Sequence, residues 1–240
     1  MSKKVNKVAI LQSSYIPWKG YFDQINSVET FVLYDCVQYT RRDWRNRNKI
    51  KTPHGLHWLS IPVDAKGKFL QSIAETEISD KSWAKEHFLS LKHHYARAPF
   101  FNDYAKELQE MYAEAGALNK LSPVNHLFLS RICKWLGINT PLRWADEFVL
   151  EDGKSERLLG ICKQLNADVY ISGPAARDYL DESIFNAEGM KVEWADYSGY
   201  PEYKQIHPPF EHAVTVLDLL FNEGPDAPKY MKSFAARACL

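Results

Sequence analysis

Short apolar runs recur along the chain between polar loops, and they predict a sheet of buried strands. Val8, Ala9, Ile10 and Leu11 form the first unbroken run, close to the N-terminus. An apolar run without polar alternation is typical of a strand buried on both faces of a parallel sheet. Similar runs predict strands at residues 30–34, 57–63 and 168–172, with further short strands inside 141–150 and 185–192.

Apolar residues at intervals of three to four positions predict helices between these strands. The first helix follows Gly20, with apolar side chains at Tyr21, Phe22, Ile25 and Val28. Residues 154–165 and 214–221 are predicted as further helices, and residues 81–137 as a purely helical stretch. We therefore predict an α/β fold with a mostly parallel, Rossmann-like sheet. Residues 1–80 and 138–240 would form the core domain, and 81–137 an inserted helical subdomain.

Polar residues follow three of the predicted strands at the point where each ends. Gln12 begins a polar and aromatic loop, Asp35 ends the second strand, and Ser172 and Gly173 follow another. In open α/β sheets, ligands bind at the carboxyl ends of strands, so we expect Gln12, Asp35 and Ser172 to line one pocket. The structural alternatives are that Gly20 and Pro17 merely form a turn, and that Asp35 caps the next turn.

Residues 41–51 have the most unusual composition in the chain, because six of the eleven are cationic. Guanidinium groups bind phosphate or carboxylate with two hydrogen bonds, and asparagine can bind an amide or a sugar hydroxyl. We predict that residues 45–49 anchor a phosphate. Two alternatives stay open: a solvated charged loop, which is common for such runs, or a structural ion pair between Arg47 and Asp35.

Composition restricts the class of protein. Thirty basic and thirty acidic side chains balance, which argues against a dedicated nucleic-acid binder but allows a local basic patch. The N-terminus has no signal-peptide core, and no stretch is long enough to cross a membrane, so we expect a cytoplasmic protein without membrane insertion. The four cysteines are scattered without zinc-ligand spacing, and we predict no metal site.

Four groups of residues resemble the WbqC-like family of bacterial proteins. They are Gln12 with the residues from Pro17 to Tyr21; Tyr34 and Asp35 with Val37 to Tyr39; Trp44 through Lys51 with Trp58; and C-terminal residues that include Tyr170, Ser172, Gly173, Tyr179, Tyr203, Gln205 and Asp218. The chain departs from the family pattern at Ser13, where proline is usual, and at Cys36, where a second aspartate is usual. Cys36 is therefore a poor candidate for a catalytic thiol.

The resemblance implies a role in surface-polysaccharide (O-antigen, lipopolysaccharide) biosynthesis, since the family is associated with such gene clusters and some members with aminoacylated amino sugars. We expect an enzyme that transfers an aminoacyl group, such as glycyl, to the amine of a nucleotide-linked amino sugar. The activated donor would be an adenylate made from ATP or an aminoacyl-tRNA. The alternatives are a glycosyltransferase, another enzyme that modifies sugar nucleotides, or a non-catalytic binding protein of the pathway.

The expected site combines the strand-end loops with the cationic run. Gln12, Asp35 and Tyr39 are the predicted catalytic residues, with Asp35 binding the attacking amine or acting as a base. The predicted residues for binding substrate or nucleotide are Tyr15, Trp18, Gly20, Tyr21, Gln38, Arg45, Asn46, Arg47, Asn48, Lys49, Ser172, Gly173, Tyr179, Tyr203 and Gln205.

Overall fold

The fold is an α/β structure around a five-stranded parallel sheet, which confirms the predicted class. The computed structural model describes residues 5–237. The sheet has the order β5-β2-β1-β6-β7, and every adjacent pair is parallel. Its strands are β1 (Lys7–Leu11), β2 (Thr30–Leu33), β5 (Leu142–Trp144), β6 (Val169–Ser172) and β7 (Lys191–Trp194); a separate hairpin contains β3 (Arg47–Thr52) and β4 (Gly55–Ser60).

Helices cover both faces of the sheet, which explains the unbroken apolar runs. In β1, Val8 and Ile10 pack with one core cluster, whereas Ala9 packs with the other. Successive side chains of a strand point to opposite faces, so a strand covered on both faces must be apolar throughout. The helices are α1 (Lys19–Asn26), α2 (Trp83–Tyr95), α3 (Phe101–Ala117), α4 (Leu121–Trp135), α5 (Lys154–Gln164), α6 (Glu182–Ala187), α7 (Val216–Glu223) and α8 (Lys232–Arg237).

The strand order reverses between β1 and β6. The chain builds the sheet outward from β1 through β2 to β5, and then returns to the other side of β1 to add β6 and β7. Numbered in chain order within this sheet, the strands follow 3-2-1-4-5, as in a Rossmann-type sheet. Loops on either side of such a reversal diverge and leave a crevice at the carboxyl ends of the strands. The crevice is therefore expected beside Gln12 and Ser172.

The purely helical stretch is confirmed as α2, α3 and α4, between β4 and β5. Buried residues of these helices, such as Trp83, Leu108 and Phe128, belong to the same core cluster as Ala9 and Phe22. The helices thus continue the packing on one face of the sheet. The division into a core domain and an inserted subdomain stays a prediction, and residues 1–4 and 238–240 of that core domain lie outside the described residues.

The cationic run is a strand in its second half, which the sequence reasoning did not predict. Arg47–Thr52 forms β3 and pairs antiparallel with β4, with Lys49 opposite Trp58. The predicted strand at 57–63 is confirmed in part, because β4 begins earlier, at Gly55, and ends at Ser60. Thr215 links the hairpin to α7, since its backbone N–H donates to the Lys49 carbonyl at 2.9 Å. Throughout residues 5–237, each helix is too short or too polar to span a membrane.

Candidate functional site

A cavity of about 960 Å³ lies outside the carboxyl ends of β1 and β6, at the reversal of strand order. Gln12 follows β1 and Ser172 ends β6, and both line the cavity, as the sequence predicted. The volume lies within the range of about 300–1,000 Å³ that is usual for small-molecule and cofactor sites. The position and the size of this cavity make it the candidate site.

Three cationic side chains from two separate segments of the chain line the cavity. Arg45 precedes β3, whereas Lys154 and Arg157 lie in the first turn of α5. Asp43 is the one carboxylate among the described lining residues. Cationic side chains therefore outnumber carboxylates, and the first turn of α5 adds the positive end of a helix dipole. The electrostatics of the cavity favour an anionic ligand.

The loop after β1 is held in place by side chains from residues 41–51. Arg45 Nη1 donates to the carbonyl oxygens of Gln12 at 2.9 Å and of Ser13 at 3.1 Å. Asn48 Nδ2 donates to the carbonyl of Ile16 at 3.0 Å. Arg45 is only 9% exposed, and its Nε atom lies 3.5 Å from Asp43 Oδ2 in an ion pair. The guanidinium group thus orders the loop and pairs with the Asp43 carboxylate at the cavity wall.

Aromatic side chains supply much of the remaining lining. Trp18 and Tyr197 meet edge to face at 5.3 Å between ring centroids. A side chain at Gly20 would collide with the Trp18 indole, because an added Cβ would lie 2.2 Å from its Cζ2 atom. Gly20 is therefore needed for the position of Trp18 and does not line the cavity itself. Flat aromatic walls suit a base or a sugar ring.

Tyr34 contributes a neutral phenol beside the cations of α5. Burial raises the pKa of Tyr34 to about 12, although Arg157, which hydrogen-bonds to it, acts in the opposite direction. Arg157 also donates through Nε to the Glu151 carbonyl at 3.0 Å. Tyr34 stays protonated at neutral pH, so it can donate a hydrogen bond to a ligand oxygen.

His212 and Asp43 are the lining side chains with proton-accepting groups. Burial lowers the pKa of His212, and nearby Lys19 adds to the effect, so the imidazole is neutral at pH 7. Its Nδ1 atom is buried without a hydrogen-bond partner. Burial alone would raise the pKa of Asp43, but Arg45 and the hydrogen bond from the Trp44 N–H outweigh it and lower that pKa. His212 is the better general base of the two, because an imidazole is intrinsically more basic than a carboxylate.

Eight of the predicted site residues line the cavity: Gln12, Trp18, Tyr21, Arg45, Asn48, Ser172, Gly173 and Tyr179. Asp35 does not, which corrects the expectation that it shares the pocket with Gln12 and Ser172. It is 2% exposed, and it accepts hydrogen bonds from Ser13 N at 2.8 Å, from Ser13 Oγ at 2.7 Å and from Ser122 Oγ. These hydrogen bonds indicate that Asp35 holds the loop after β1, and a role as the catalytic base stays a prediction.

Tyr15, Tyr203 and Gln205 are also buried in the core instead of lining the cavity. The Tyr15 hydroxyl lies 2.7 Å from that of Tyr112. Tyr203 donates to the buried carboxylate of Asp218 at 2.7 Å, and Gln205 Nε2 lies 3.2 Å from the Tyr203 hydroxyl. These polar side chains resemble ligand-binding residues in sequence, but their hydrogen bonds are made inside the protein.

Five other predicted site residues lie in or beside the hairpin and its entry loop, outside the cavity lining: Gln38, Tyr39, Asn46, Arg47 and Lys49. Asn46 Nδ2 donates to the Ile61 carbonyl at 2.8 Å, and Gln38 Nε2 to that of Phe69 at 2.5 Å. Arg47 donates to the Arg42 carbonyl and lies over the Trp58 ring. Arg47 is therefore neither a phosphate anchor of this cavity nor paired with Asp35. Burial raises the pKa of Tyr39.

Sequence reasoning missed Lys154, Arg157 and His212 as site residues. A signal for the first two was present, because cations three positions apart directly after Gly153 lie on one side of a helix start. His212 follows no predicted strand and had no such signal. Among residues 5–237, no group of three or more His, Cys, Asp or Glu side chains is arranged to hold a metal ion. Burial raises the pKa of Cys36, although Arg157 opposes the effect, so its thiol is a weak nucleophile.

Comparisons with known proteins cover almost the whole chain. The model of the WbqC-like protein family matches residues 12–230. A protein of Mycobacterium tuberculosis (strain ATCC 25618 / H37Rv), named Uncharacterized protein Rv1507c, is 49% identical over 228 residues, which are 95% of this chain and 98% of that relative. No solved structure matches the chain. Apart from Ile10 and Leu11, every residue lining the cavity lies within the range matched to the family.

Proposed function

The chain belongs to the WbqC-like protein family, and we propose that its cavity binds a nucleotide-linked amino sugar and catalyses acylation of the sugar amine. The acyl group would be an aminoacyl group such as glycyl. The association of the family with surface-polysaccharide gene clusters, and of some members with aminoacylated amino sugars, supports this substrate class.

The observation that carries the proposal is the convergence of Arg45, Lys154 and Arg157 on one aromatic cavity. A nucleotide-linked sugar combines a flat base, a diphosphate with two negative charges, and a polar sugar. Several cations in one lining suit the diphosphate, because arginine pairs with phosphate oxygens in bidentate geometry. The aromatic side chains Trp18 and Tyr197 suit the flat or ring-shaped ends of the ligand.

His212 is the proposed general base for acyl transfer. The amine nitrogen attacks the acyl carbonyl carbon, a new C–N bond forms, and the bond from that carbon to the oxygen of the leaving group breaks. The neutral imidazole accepts the proton that the amine loses, which requires a pKa near or below neutrality. The leaving group is the phosphate of AMP or the ribose hydroxyl of a tRNA.

The test is to incubate the protein with glycine, ATP and a nucleotide-linked 4-amino sugar, and in parallel with glycyl-tRNA and the same sugar. Mass spectrometry of the sugar should show the gain of one glycyl group in at least one reaction. His212→Gln should retain sugar-nucleotide binding and lose most of the product. A new glycosidic bond would indicate a glycosyltransferase, and binding without any mass change a non-catalytic binding protein.

Arg157→Ala tests the binding half of the proposal separately, by titration calorimetry with the sugar nucleotide. Losing a charged hydrogen bond costs about 1.5–3 kcal/mol, which corresponds to a loss of affinity of roughly 10- to 150-fold. Arg131→Ala is the matched control, because Arg131 forms surface ion pairs with Glu107 and Glu114 outside the cavity lining. Equal affinity of both variants and the native protein would contradict the proposal.

A further inference from the structure

The β3–β4 hairpin presents a face on which cationic and aromatic side chains alternate. Arg47 and Lys49 lie on the same face of the hairpin as Trp58, because Lys49 is opposite Trp58 and strand side chains alternate. Ile50 and Leu59 point to the other face and are buried in the core. The alternation of residues 47–50 therefore results from a strand that faces the core on one side and solvent on the other.

Trp44 joins this face from the loop before β3. The Trp44 and Trp58 rings lie 5.4 Å apart at an interplanar angle of 36°, and the two residues are 39% and 38% exposed. The Arg47 guanidinium lies 4.2 Å over the Trp58 ring, and Lys49 Nζ lies 5.1 Å from the same ring and 5.7 Å from that of Trp44. We call Trp44, Arg47, Lys49 and Trp58 the hairpin face.

The charge of this region is unbalanced. Arg41 and Arg42, both exposed, lie beside the hairpin face in the same loop. None of the cations Arg41, Arg42, Arg47 and Lys49 forms a salt bridge with a described residue. Arg47 and Lys49 lie against two exposed indoles without a carboxylate partner, and Arg41 and Arg42 add positive charge nearby. This arrangement is complementary to a ligand that has both phosphates and flat bases.

The hairpin face is continuous with the cavity. Trp44 lines the cavity as well as packing against Trp58, and the next residue, Arg45, also lines the cavity. The Trp44 carbonyl accepts a hydrogen bond from the Tyr15 N–H at 3.2 Å, which ties it to the loop after β1. A chain bound on the hairpin face would therefore enter the cavity at Trp44.

We propose that the hairpin face binds the unpaired 3′ end of an RNA, whose terminal nucleotide reaches into the cavity. Bases would stack on Trp44 and Trp58, and Arg47 and Lys49 would contact phosphates. A neutral oligosaccharide could also stack on the indoles, but it carries no negative charge to pair with Arg47 and Lys49. Stacking on aromatic side chains next to cations is the usual way to bind single strands.

This inference rests on the proposed acyl transfer and selects its donor: an aminoacyl ester of RNA, not an adenylate formed from ATP. The amine nitrogen of the sugar attacks the ester carbonyl carbon. The C–N amide bond forms and the ester C–O bond breaks. The ribose hydroxyl of the RNA leaves with a proton, and no further co-reactant is required because the ester is already activated.

The experiment measures RNA binding by fluorescence anisotropy with a labelled duplex that has a four-nucleotide 3′ overhang, and with the blunt duplex as a comparison. We expect the overhang to bind and the blunt duplex to bind at least tenfold more weakly. Trp58→Ala should weaken overhang binding by about tenfold, since each stacked base contributes substantially to affinity. Trp58→Phe, which keeps a ring, should restore most of it. Lys49→Ala should reduce the dependence on salt by about one phosphate contact.

Leu56→Ala is the matched control, because Leu56 is an exposed apolar residue of the same hairpin without ring or charge. It should bind RNA like the native protein. The proposal would be overturned if the protein bound the overhang and the blunt duplex equally well. It would also be overturned if Trp58→Ala bound RNA like the native protein but melted at a lower temperature, since the hairpin face would then be a structural cation–π cluster. Quenching of tryptophan fluorescence by a neutral oligosaccharide but not by RNA would also overturn it.

Failure of this inference is distinguishable from failure of the proposed function. Arg157→Ala should lose affinity for the sugar nucleotide and keep affinity for the overhang, whereas Trp58→Ala should show the reverse. If the protein bound the sugar nucleotide and transferred glycine with ATP but did not bind RNA, only the RNA donor would be refuted. If the protein bound RNA but the mass of the sugar nucleotide did not increase in any reaction, only the acyl transfer would be refuted.

Discussion

Replacing Asp35 separates a structural carboxylate from a catalytic one. Asp35→Ala would leave the Ser13 N–H, a fixed and buried backbone donor, without its acceptor, at a cost of about 1–3 kcal/mol. It would also remove the acceptor for the hydroxyls of Ser13 and Ser122. These hydroxyls can rotate, so part of their contribution is recovered. We therefore expect the free energy of unfolding to fall by about 3–5 kcal/mol in total.

Asp35→Asn should cost less, about 1–2 kcal/mol, because its amide oxygen still accepts from the Ser13 N–H. The measurement is urea denaturation of both variants, read as a shift of midpoint at constant slope. Titration with sugar nucleotide should show that Asp35→Asn, which folds, keeps nearly native affinity and glycyl transfer. Native stability of Asp35→Ala together with abolished glycyl transfer would refute the structural role and restore Asp35 as the catalytic base.

Three further predictions concern buried groups. Burial lowers the pKa of His87 to about 4, whereas in the unfolded chain the pKa is about 6.5, so between these values only the unfolded chain binds the proton. The free energy of unfolding, measured by denaturation, should therefore fall by up to about 3 kcal/mol as the pH is lowered from 6.5 to 4, and it should fall less in His87→Gln. Tyr203→Phe should destabilise the protein by about 1.5–3 kcal/mol, because Asp218 loses a donor, and leave sugar-nucleotide affinity unchanged in titration. Gly20→Ala should displace Trp18, lowering stability by about 1–3 kcal/mol in denaturation and weakening sugar-nucleotide binding.

Much of the fold was predictable because its signals are local. Strands covered on both faces must be apolar throughout, which is why residues 8–11 and 168–172 were recognised as β1 and β6. The hairpin strand β3 was missed, because its outward positions Arg47 and Lys49 are cationic, and Ile50 is the one apolar residue among the inward positions Asn48, Ile50 and Thr52. A single apolar residue between cations gives too weak an alternation to distinguish a strand from a charged loop.

The candidate site was predictable only where it depends on strand ends. Gln12 and Ser172 were assigned to one pocket because both follow strands of one sheet, and that placement is correct. Asp35 follows a strand too, but its carboxylate is directed to Ser13 and Ser122, a contact across 87 residues that no local pattern encodes. His212 reaches the cavity from a loop far along the chain. Its place in the site was not predictable for the same reason, because no local pattern encodes it.

The most direct test of the central claim is a co-crystal structure with a nucleotide-linked amino sugar. We predict electron density for the ligand across the carboxyl ends of β1 and β6, with its diphosphate between Arg157 and Arg45 and the sugar amine within hydrogen-bonding distance of His212. A ligand bound away from Gln12 and Ser172, or a diphosphate held by Arg47 on the hairpin, would contradict the account.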